Sequence, residues 1–230
     1  MTGTPRYAIY YMPVATSALW RFGCRVIGYD ACGAEPPPPF DQLGDAAAAG
    51  VFAEPARYGF HATLKAPFEL AAGKTESHLL AAAAEFAVRQ SQLLIGPLKI
   101  APLDRFIALI PAAPPDALET FAADCVREFD DFRAALSAAD RERRLQSPMT
   151  ATQRAYLDAW GYPYVFEEFR FHMTLCGPLT PDLLAPLTTM LGKLYASIDH
   201  PVALDGLAVF KQPERTAPFH VLQRLAFDRA

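Results

Sequence analysis

Two short motifs of the same kind carry the side chains best suited to chemistry. Phe60 to Leu64 reads FHATL and Phe171 to Leu175 reads FHMTL, with about half of the 230-residue chain between them. A histidine titrates near neutral pH, so one imidazole can accept a proton while a second donates one in the same reaction. A threonine hydroxyl can donate a hydrogen bond to an oxyanion beside it. These four groups together could cleave a phosphodiester without a metal ion.

The segments around the motifs predict strands that would position these groups. Tyr58 to Phe68 and Val165 to Leu175 are apolar, rich in β-branched and aromatic residues, and followed by Pro or Gly. Alternate side chains of a strand share a face, so His61, Thr63 and Lys65 are expected on one face of the first strand. The corresponding face of the second strand would carry Arg170, His172, Thr174 and Cys176. Each strand would then have one apolar face and one face with imidazole, hydroxyl and cationic groups.

Each candidate residue also has a structural interpretation. His61 and His172 could be core histidines bonded to backbone groups, and Thr63 and Thr174 could simply suit a strand. The repeated motif, with Thr two residues after His in both copies, favours catalysis and phosphate binding instead. Four further residues are candidates for substrate binding, two as cations for a phosphoryl oxygen and two as aromatic rings for a base or sugar: Lys65, Arg170, Tyr58 and Tyr11.

The paired motifs resemble the 2H phosphoesterase superfamily, which includes LigT-like RNA ligases and cyclic nucleotide phosphodiesterases. The wider sequence is similar to the DUF1045 branch, because Tyr58 to Phe68 reads YGFHATLKAPF and Trp160 to Val165, ahead of the second motif, reads WGYPYV. Proteins of that branch are often linked to phosphonate metabolism. The resemblance extends over most of the chain, from a strand at Tyr7 to a strand at Phe219.

The resemblance implies an α+β fold of the LigT-like type, with two similar lobes, mostly antiparallel sheets around a central cleft and helices outside. It implies one domain over residues 1–230, made of lobes at about 1–139 and 140–230. The implied enzyme is a metal-independent phosphoric diester hydrolase of the 2H cyclic phosphodiesterase type, with no cofactor. Its substrate would be a small phosphorylated metabolite or nucleotide-like molecule with a cyclic or strained phosphodiester. The sequence does not decide which histidine is the base and which is the acid.

Composition limits the partners and the location. The formal charge of −4 and the absence of a long basic run argue against a long nucleic-acid partner, whereas a small anion needs only a local positive pocket. The four cysteines lack a Cys-x-x-Cys pair, which is typical of reduced thiols in a cytoplasm. No apolar stretch approaches the ~20 residues of a membrane span. We therefore expect a cytoplasmic protein without a membrane partner.

The remaining segments predict a repeated order of elements. Helices are expected at Glu76 to Gln90, Pro115 to Leu136 and Asp182 to Tyr195, and strands at 98–103, 106–110, 202–212 and 219–227. Strand, helix and further strands follow each motif, which supports an internal duplication. The mixed-charge run from Asp140 to Arg144 indicates a solvated helix face or, alternatively, a phosphate clamp. Of the other histidines, His220 begins a strand that could line the cleft, and His200 is expected in a turn.

Three rival functions use the same residues. A metal-dependent hydrolase could use both motif histidines as ligands, but no Asp or Glu lies on the motif faces and no His-x-x-x-His or His-x-His spacing occurs. An RNA-end-processing phosphodiesterase or ligase would bind oligonucleotides with a steep salt dependence. A non-catalytic binding protein for a phosphorylated metabolite would bind without turnover. For the two-histidine hydrolase we expect a bell-shaped pH profile with limbs on both sides of neutrality.

Overall fold

The computed structural model describes residues 4–198 and 201–228, so His200 lies outside the described residues. The strands within these residues are Arg6–Tyr11 (β1), Ala62–Glu69 (β2), Leu93–Gly96 (β3), Leu98–Leu103 (β4), Phe106–Pro111 (β5), Met173–Cys176 (β6), Val202–Leu204 (β7), Gly206–Gln212 (β8) and His220–Ala226 (β9). The α-helices are Ala18–Ile27 (α1), Gly44–Ala48 (α2), Ala53–Tyr58 (α3), Glu76–Val88 (α4), Asp116–Glu128 (α5), Ala138–Leu145 (α6), Ala151–Trp160 (α7) and Pro181–Tyr195 (α8).

The main sheet has its two motif strands side by side near its centre. Its order is β4-β5-β6-β2-β1-β8-β9, and neighbouring strands run antiparallel. Helices pack on this sheet, with α5 on β2 and α1 on β6. The prediction of an α+β fold, with a mostly antiparallel sheet, adjacent motif strands and helices outside, is confirmed.

The same order of elements follows each motif strand. After β2 come α4, β3 and the hairpin β4-β5, and after β6 come α8, β7 and the hairpin β8-β9. Helix α4 packs on β8 and β9, α8 packs on β4 and β5, and β3 pairs with β7. The helix that follows each motif therefore packs on strands of the other half, and both halves share one apolar core. The division into lobes at about residue 139, and the origin of the repeat by duplication, stay predictions.

Both motif strands begin later than the sequence predicts. Helix α3 continues to Tyr58, and Gly59, with φ of +78°, ends it in a conformation that few residues other than glycine adopt. On the second copy, Phe166–Glu168 forms a 3-10 turn and β6 starts only at Met173. His61 and His172 each lie one residue before their strand begins, at the point where the chain enters the sheet.

A glycine in α1 lets that helix lie directly on the first motif. A Cβ added at Gly23 would stand 2.1 Å from ring atoms of Phe60, so only glycine permits this approach. Glycine lowers helix stability by about 1 kcal/mol relative to alanine, and caps at both ends support α1: Ser17 accepts from the Trp20 backbone N–H, and Gly28 follows in a left-handed conformation. The close packing fixes Phe60 and thereby the backbone that carries His61.

The apolar faces of the motif strands point into the core, as the alternation predicts. Buried residues of this face are Phe60, Ala62, Leu64, Phe171, Met173 and Leu175. No helix within residues 4–198 and 201–228 is long and apolar enough to cross a bilayer. The cytoplasmic location stays a prediction.

Candidate active site

The pairing of the two motif strands brings the four predicted catalytic side chains together. Ala62 of β2 lies opposite Met173 of β6 in an antiparallel pair. In this antiparallel register the residues next to Ala62 lie opposite the residues next to Met173. Each histidine therefore lies opposite the threonine of the other motif. A cavity of about 460 Å³ is lined by all four side chains: His61, Thr63, His172 and Thr174.

Backbone carbonyls orient both imidazoles in the same way. The Nδ1 of His61 lies 2.8 Å from the Gly59 carbonyl oxygen, and the Nδ1 of His172 lies 2.7 Å from the Arg170 carbonyl oxygen. Because a carbonyl can only accept, each Nδ1 carries a proton and donates it. Each Nε2 of a neutral ring is therefore left as a proton acceptor. The Nε2 of His61 lies 3.2 Å from the Thr63 hydroxyl oxygen, which donates to it in this state.

The surroundings of His61 favour its neutral form. The ring of Tyr10 stacks on its imidazole, with ring centroids 3.7 Å apart and planes at 21°. Burial, with a smaller contribution from the charge of His172, lowers the pKa of His61 to about 4 against the raising effect of the Gly59 carbonyl. Burial also lowers the pKa of His172 below its usual value. Both imidazoles are thus neutral at pH 7 before a substrate binds.

Lys65 does not share the histidine face, and that prediction is wrong. Tyr10 pairs with Thr63 and its neighbour Ile9 pairs with Lys65, so one extra residue, Leu64, lies between the two pairs on β2. Such a β-bulge reverses the side-chain alternation, which places Lys65 on the opposite face of the sheet from Thr63.

The second strand has the same bulge at the same position of its motif. Ala108 pairs with Thr174 and Ile107 pairs with Cys176, leaving Leu175 as the extra residue. Cys176 is therefore fully buried on the face opposite Thr174, and its predicted place beside His172 is also wrong. In both motifs, then, the alternation that the sequence predicts holds only as far as the threonine.

The other predicted binding residues are divided between the cavity and the core. Tyr58 lines the cavity and stacks on Phe219. Arg170 lines an adjoining cavity of about 550 Å³, which His172 and Thr63 also border. Tyr11 is buried against Phe171 on the other face of β1, so it does not reach the histidines. Its neighbour Tyr10 lines the cavity and stacks on His61.

The cations that line the cavity come from parts of the chain distant from both motifs. They are Arg6 at the start of β1 and two residues of α6, Arg143 and Arg144. Glu54 is the one acidic side chain among the described residues that line this cavity. The sequence points only to the charged run that includes Arg143 and Arg144, as a solvated helix face or a phosphate clamp. In the strand that contains Arg6 the predicted site residue is Tyr11, and nothing in the sequence points to Arg6 itself.

The adjoining cavity has an aromatic wall, and His220 borders neither cavity. The aromatic residues of that wall are Phe106, Tyr162, Tyr164, Phe166 and Phe169. His220 lies on β9, near Lys211 and Glu76 rather than near the motif histidines, and burial lowers its pKa. Within the described part of the chain, no group of three or more His, Cys, Asp or Glu side chains is placed to hold a metal ion.

Comparison with known proteins gives a family match and two curated relatives. The family model described as "Protein of unknown function (DUF1045)" matches residues 63–220. Two proteins named "Ribose 1,5-bisphosphate phosphokinase PhnN" are similar to this chain. The one from Janthinobacterium sp. (strain Marseille) is 34% identical over 97% of this chain and 51% of that protein. The one from Laribacter hongkongensis (strain HLHK9) is 33% identical over 94% of this chain and 50% of that protein. The chain spans about half the length of these relatives.

Among solved structures, a crystal structure titled as a phosphoesterase has a TM-score of 0.44 and 14% identity. E. coli LigT complexed with 3′-AMP has a TM-score of 0.45 and 14% identity, and LigT complexed with NADP+ has a TM-score of 0.44 and 13% identity. In each case 97% of this chain and 98% of the other chain are covered.

Proposed function

The chain belongs to the DUF1045 family, and on this premise we propose that it is a metal-independent phosphoesterase. It hydrolyses a cyclic or strained phosphodiester in a small phosphorylated molecule by two-histidine acid/base catalysis. The observation that carries the proposal is the meeting of both His-x-Thr motifs in one cavity at the junction of β2 and β6. Two proton-transfer groups and two hydroxyl donors are the equipment that this reaction needs.

His61 is the general base in this mechanism. Its Nε2 has a lone pair directed at a hydroxyl, and its low pKa keeps it neutral. A water that takes the place of the Thr63 hydroxyl gives its proton to this Nε2 while its oxygen attacks phosphorus. The Thr63 hydroxyl is then released to donate to a non-bridging phosphoryl oxygen, as Thr174 does from the other strand.

His172 is the general acid. The ester bond breaks with its electron pair on the leaving oxygen, and that oxygen takes the proton of a protonated His172, which yields a phosphate monoester and an alcohol. A bound anionic phosphodiester beside His172 raises the pKa of this histidine. Substrate binding therefore favours the protonated form of His172, which burial disfavours in the unliganded protein. Proton exchange with water then returns both imidazoles to their starting states.

The substrate class follows from the cavity and the relatives. Three arginines line the cavity, which suits a small anion. The relatives are named for a kinase that acts on ribose 1,5-bisphosphate. We propose that this chain acts on a related sugar phosphate ester, in phosphonate metabolism.

The test is hydrolysis of a small panel of phosphate esters in excess chelator. The panel contains nucleoside 2′,3′-cyclic phosphates, a ribose cyclic phosphate, linear phosphodiesters and short RNA. We expect turnover of at least one cyclic ester, unchanged by the chelator. Activity lost in chelator and restored by a divalent cation would overturn the metal-independent mechanism. Binding of a cyclic ester without hydrolysis by the folded protein would favour a binding protein, and turnover of short RNA alone would favour RNA-end processing.

The pH dependence of kcat/KM should be displaced toward acid. This ratio reports the groups of the free enzyme, where the pKa of His61 is lowered to about 4 and that of His172 is lowered from its usual value. As the pH rises through about 4, activity should increase because His61 loses its proton. As the pH rises further, activity should decrease because His172 loses its proton, and this decrease should occur at a pH lower than the ~6.5 of an ordinary histidine. The bell therefore lies on the acid side of neutrality, rather than across it as the unperturbed values predict.

Stability must be followed in the same buffers. Because the pKa of His61 is lower in the folded protein than the ~6.5 of an unfolded chain, the unfolded state binds more protons between these values. The free energy of unfolding should therefore fall as the pH drops from about 6.5 to about 4, and circular dichroism identifies the range in which the protein stays folded. An acid limb near pH 6.5 in folded protein would contradict the assignment of His61 as a buried base.

A further inference from the structure

Two arginines in the cavity wall are bonded only to neutral groups. Arg6 is 9% exposed and donates from Nε to the side-chain oxygen of Gln212 at 2.8 Å. Arg144 donates to the backbone carbonyl of Gly161 at 2.8 Å. Among the described residues, neither guanidinium forms an ion pair with a carboxylate. Both are thus positive charges in the protein wall without an anionic partner.

Unpaired cations in this position are unfavourable and would be stabilised by an anion. Burial lowers the pKa of Arg6, and the charge of Arg215 lowers it further. Burial also lowers the pKa of Arg144; Tyr162 and the charge of Asp140 raise this pKa, and the smaller effects of Arg143 and Arg6 lower it. The arginines therefore repel one another across the wall. A bound anion would relieve both the desolvation and the repulsion.

These arginines form a partition between the candidate active site and a second, smaller cavity of about 110 Å³. Among the described residues, the second cavity is lined by two acidic side chains, Glu69 and Asp140, and by six basic ones: Arg6, Lys65, Arg133, Arg143, Arg144 and Arg215. Both acidic groups are already engaged, since Arg215 pairs with each of them. The positive charge that remains belongs mainly to Arg6 and Arg144, which line both cavities.

We propose that this partition binds a second phosphate, and that the substrate is a small molecule with two phosphorylated positions. Its cyclic phosphodiester would lie at the histidines and a phosphate monoester at Arg6 and Arg144. The inference rests on the proposed function and specifies its substrate class. A monoester dianion suits the site because guanidinium groups bind phosphate oxygens through paired, charge-assisted hydrogen bonds.

The spacing along β2 limits the size of this substrate. Thr63 lines the cavity beside the histidines, whereas Ala66 lines both cavities at the partition. Three residues of a strand extend about 10 Å, and the bulge in β2 shortens this distance. A single phosphorylated sugar unit can span such a gap. A longer oligonucleotide is not needed to reach both groups.

Direct binding of ribose 5-phosphate tests the proposal without relying on turnover. This probe has a monoester and no phosphodiester, and calorimetry would compare its affinity for wild-type protein, Arg144→Gln and Arg141→Gln. Arg141 is the matched control, because it lies on the same helix but is half-exposed and pairs with Asp158 at 2.7 Å. We expect Arg144→Gln to weaken binding about tenfold or more, which is the effect of losing one charge-assisted hydrogen bond. Arg141→Gln should bind as the wild type does.

The His172→Ala variant separates this subsite from the catalytic groups. Ribose 5-phosphate should bind it with unchanged affinity, since the monoester lies at the arginines. Equal affinity in Arg144→Gln and wild type, or a loss in His172→Ala as large as in Arg144→Gln, would overturn the proposal. Ribose without phosphate supplies a test that needs no variant, because binding as tight as that of ribose 5-phosphate would show that no phosphate is recognised. Neither result depends on whether a cyclic ester is hydrolysed.

Discussion

His172→Ala and His61→Ala should each lower kcat/KM for the best cyclic ester by roughly 10²- to 10⁴-fold, the usual contribution of a general acid or base. In the proposed mechanism His61 accepts the proton of the attacking water through its Nε2, which is unprotonated because Nδ1 carries the proton donated to Gly59. In the same mechanism His172 supplies a proton to the leaving oxygen. Initial rates in chelator, measured for both variants and wild type, check this expectation.

A histidine outside the site provides the control. His78 is exposed on α4 and lines neither cavity, so His78→Ala should keep wild-type turnover. The double variant should lose less than the product of the two single losses, because an acid and a base that act in one step are not additive. Near-native turnover in both single variants, with circular dichroism showing that they are folded, would refute the two-histidine mechanism.

The sequence was most informative where local pattern and repetition agreed. The repeated motif predicted that two distant segments would meet, and Ala62 does pair with Met173 at the sheet centre. The apolar alternation identified the faces that pack into the core. These features depend on residue type and on a period of two, which short segments carry by themselves.

Prediction failed where the local period was interrupted. One bulged residue after each motif threonine turns Lys65 and Cys176 to the opposite face, and neither Leu64 nor Leu175 looks unusual in the sequence. The prediction that Tyr11 binds substrate failed for a related reason. Consecutive residues of β1 face opposite sides, and only the pairing of Tyr10 with Thr63 decides which tyrosine reaches the histidines.

The arginines of the cavity could not be found from local sequence because tertiary packing places them there. Helix α6 turns by about 100° per residue, so its charges point in different directions. Arg141 pairs with Asp158 on the outside, as expected of a solvated face, while Arg144 reaches the cavity. Arg6 lies at the cavity because its strand, β1, lies between β2 and β8 in the sheet. The solvated-face interpretation therefore holds for Arg141, while a phosphate-binding role for Arg144 stays a prediction.

Asp130→Ala should lower the free energy of unfolding by about 3 to 5 kcal/mol, the usual effect of removing one partner of a buried ion pair. Lys65 is 3% exposed, and its ammonium lies 2.6 Å from Asp130 Oδ1. Arg133 donates to the same carboxylate at 2.9 Å. Although burial alone would raise the pKa of Asp130, the hydrogen bonds from Arg133 and Lys65 hold it below its usual value. Without this carboxylate the Lys65 charge is left buried, and among the residues that the structure describes the Val126 carbonyl is its remaining hydrogen-bond partner.

Urea unfolding of three further variants separates the charge effect from simple loss of contacts. Lys65→Met combined with Asp130→Ala should recover part of the lost stability, because the buried Lys65 charge is removed with its partner, whereas Arg133 still loses the Asp130 carboxylate. Glu128→Ala, which removes the partner of the exposed Arg89, should change stability by less than about 1 kcal/mol. Lys65→Met alone should keep KM for the cyclic ester near the wild-type value, since Lys65 serves the fold rather than the substrate. A strongly raised KM, with an unchanged free energy of unfolding, would show that Lys65 contributes to substrate binding.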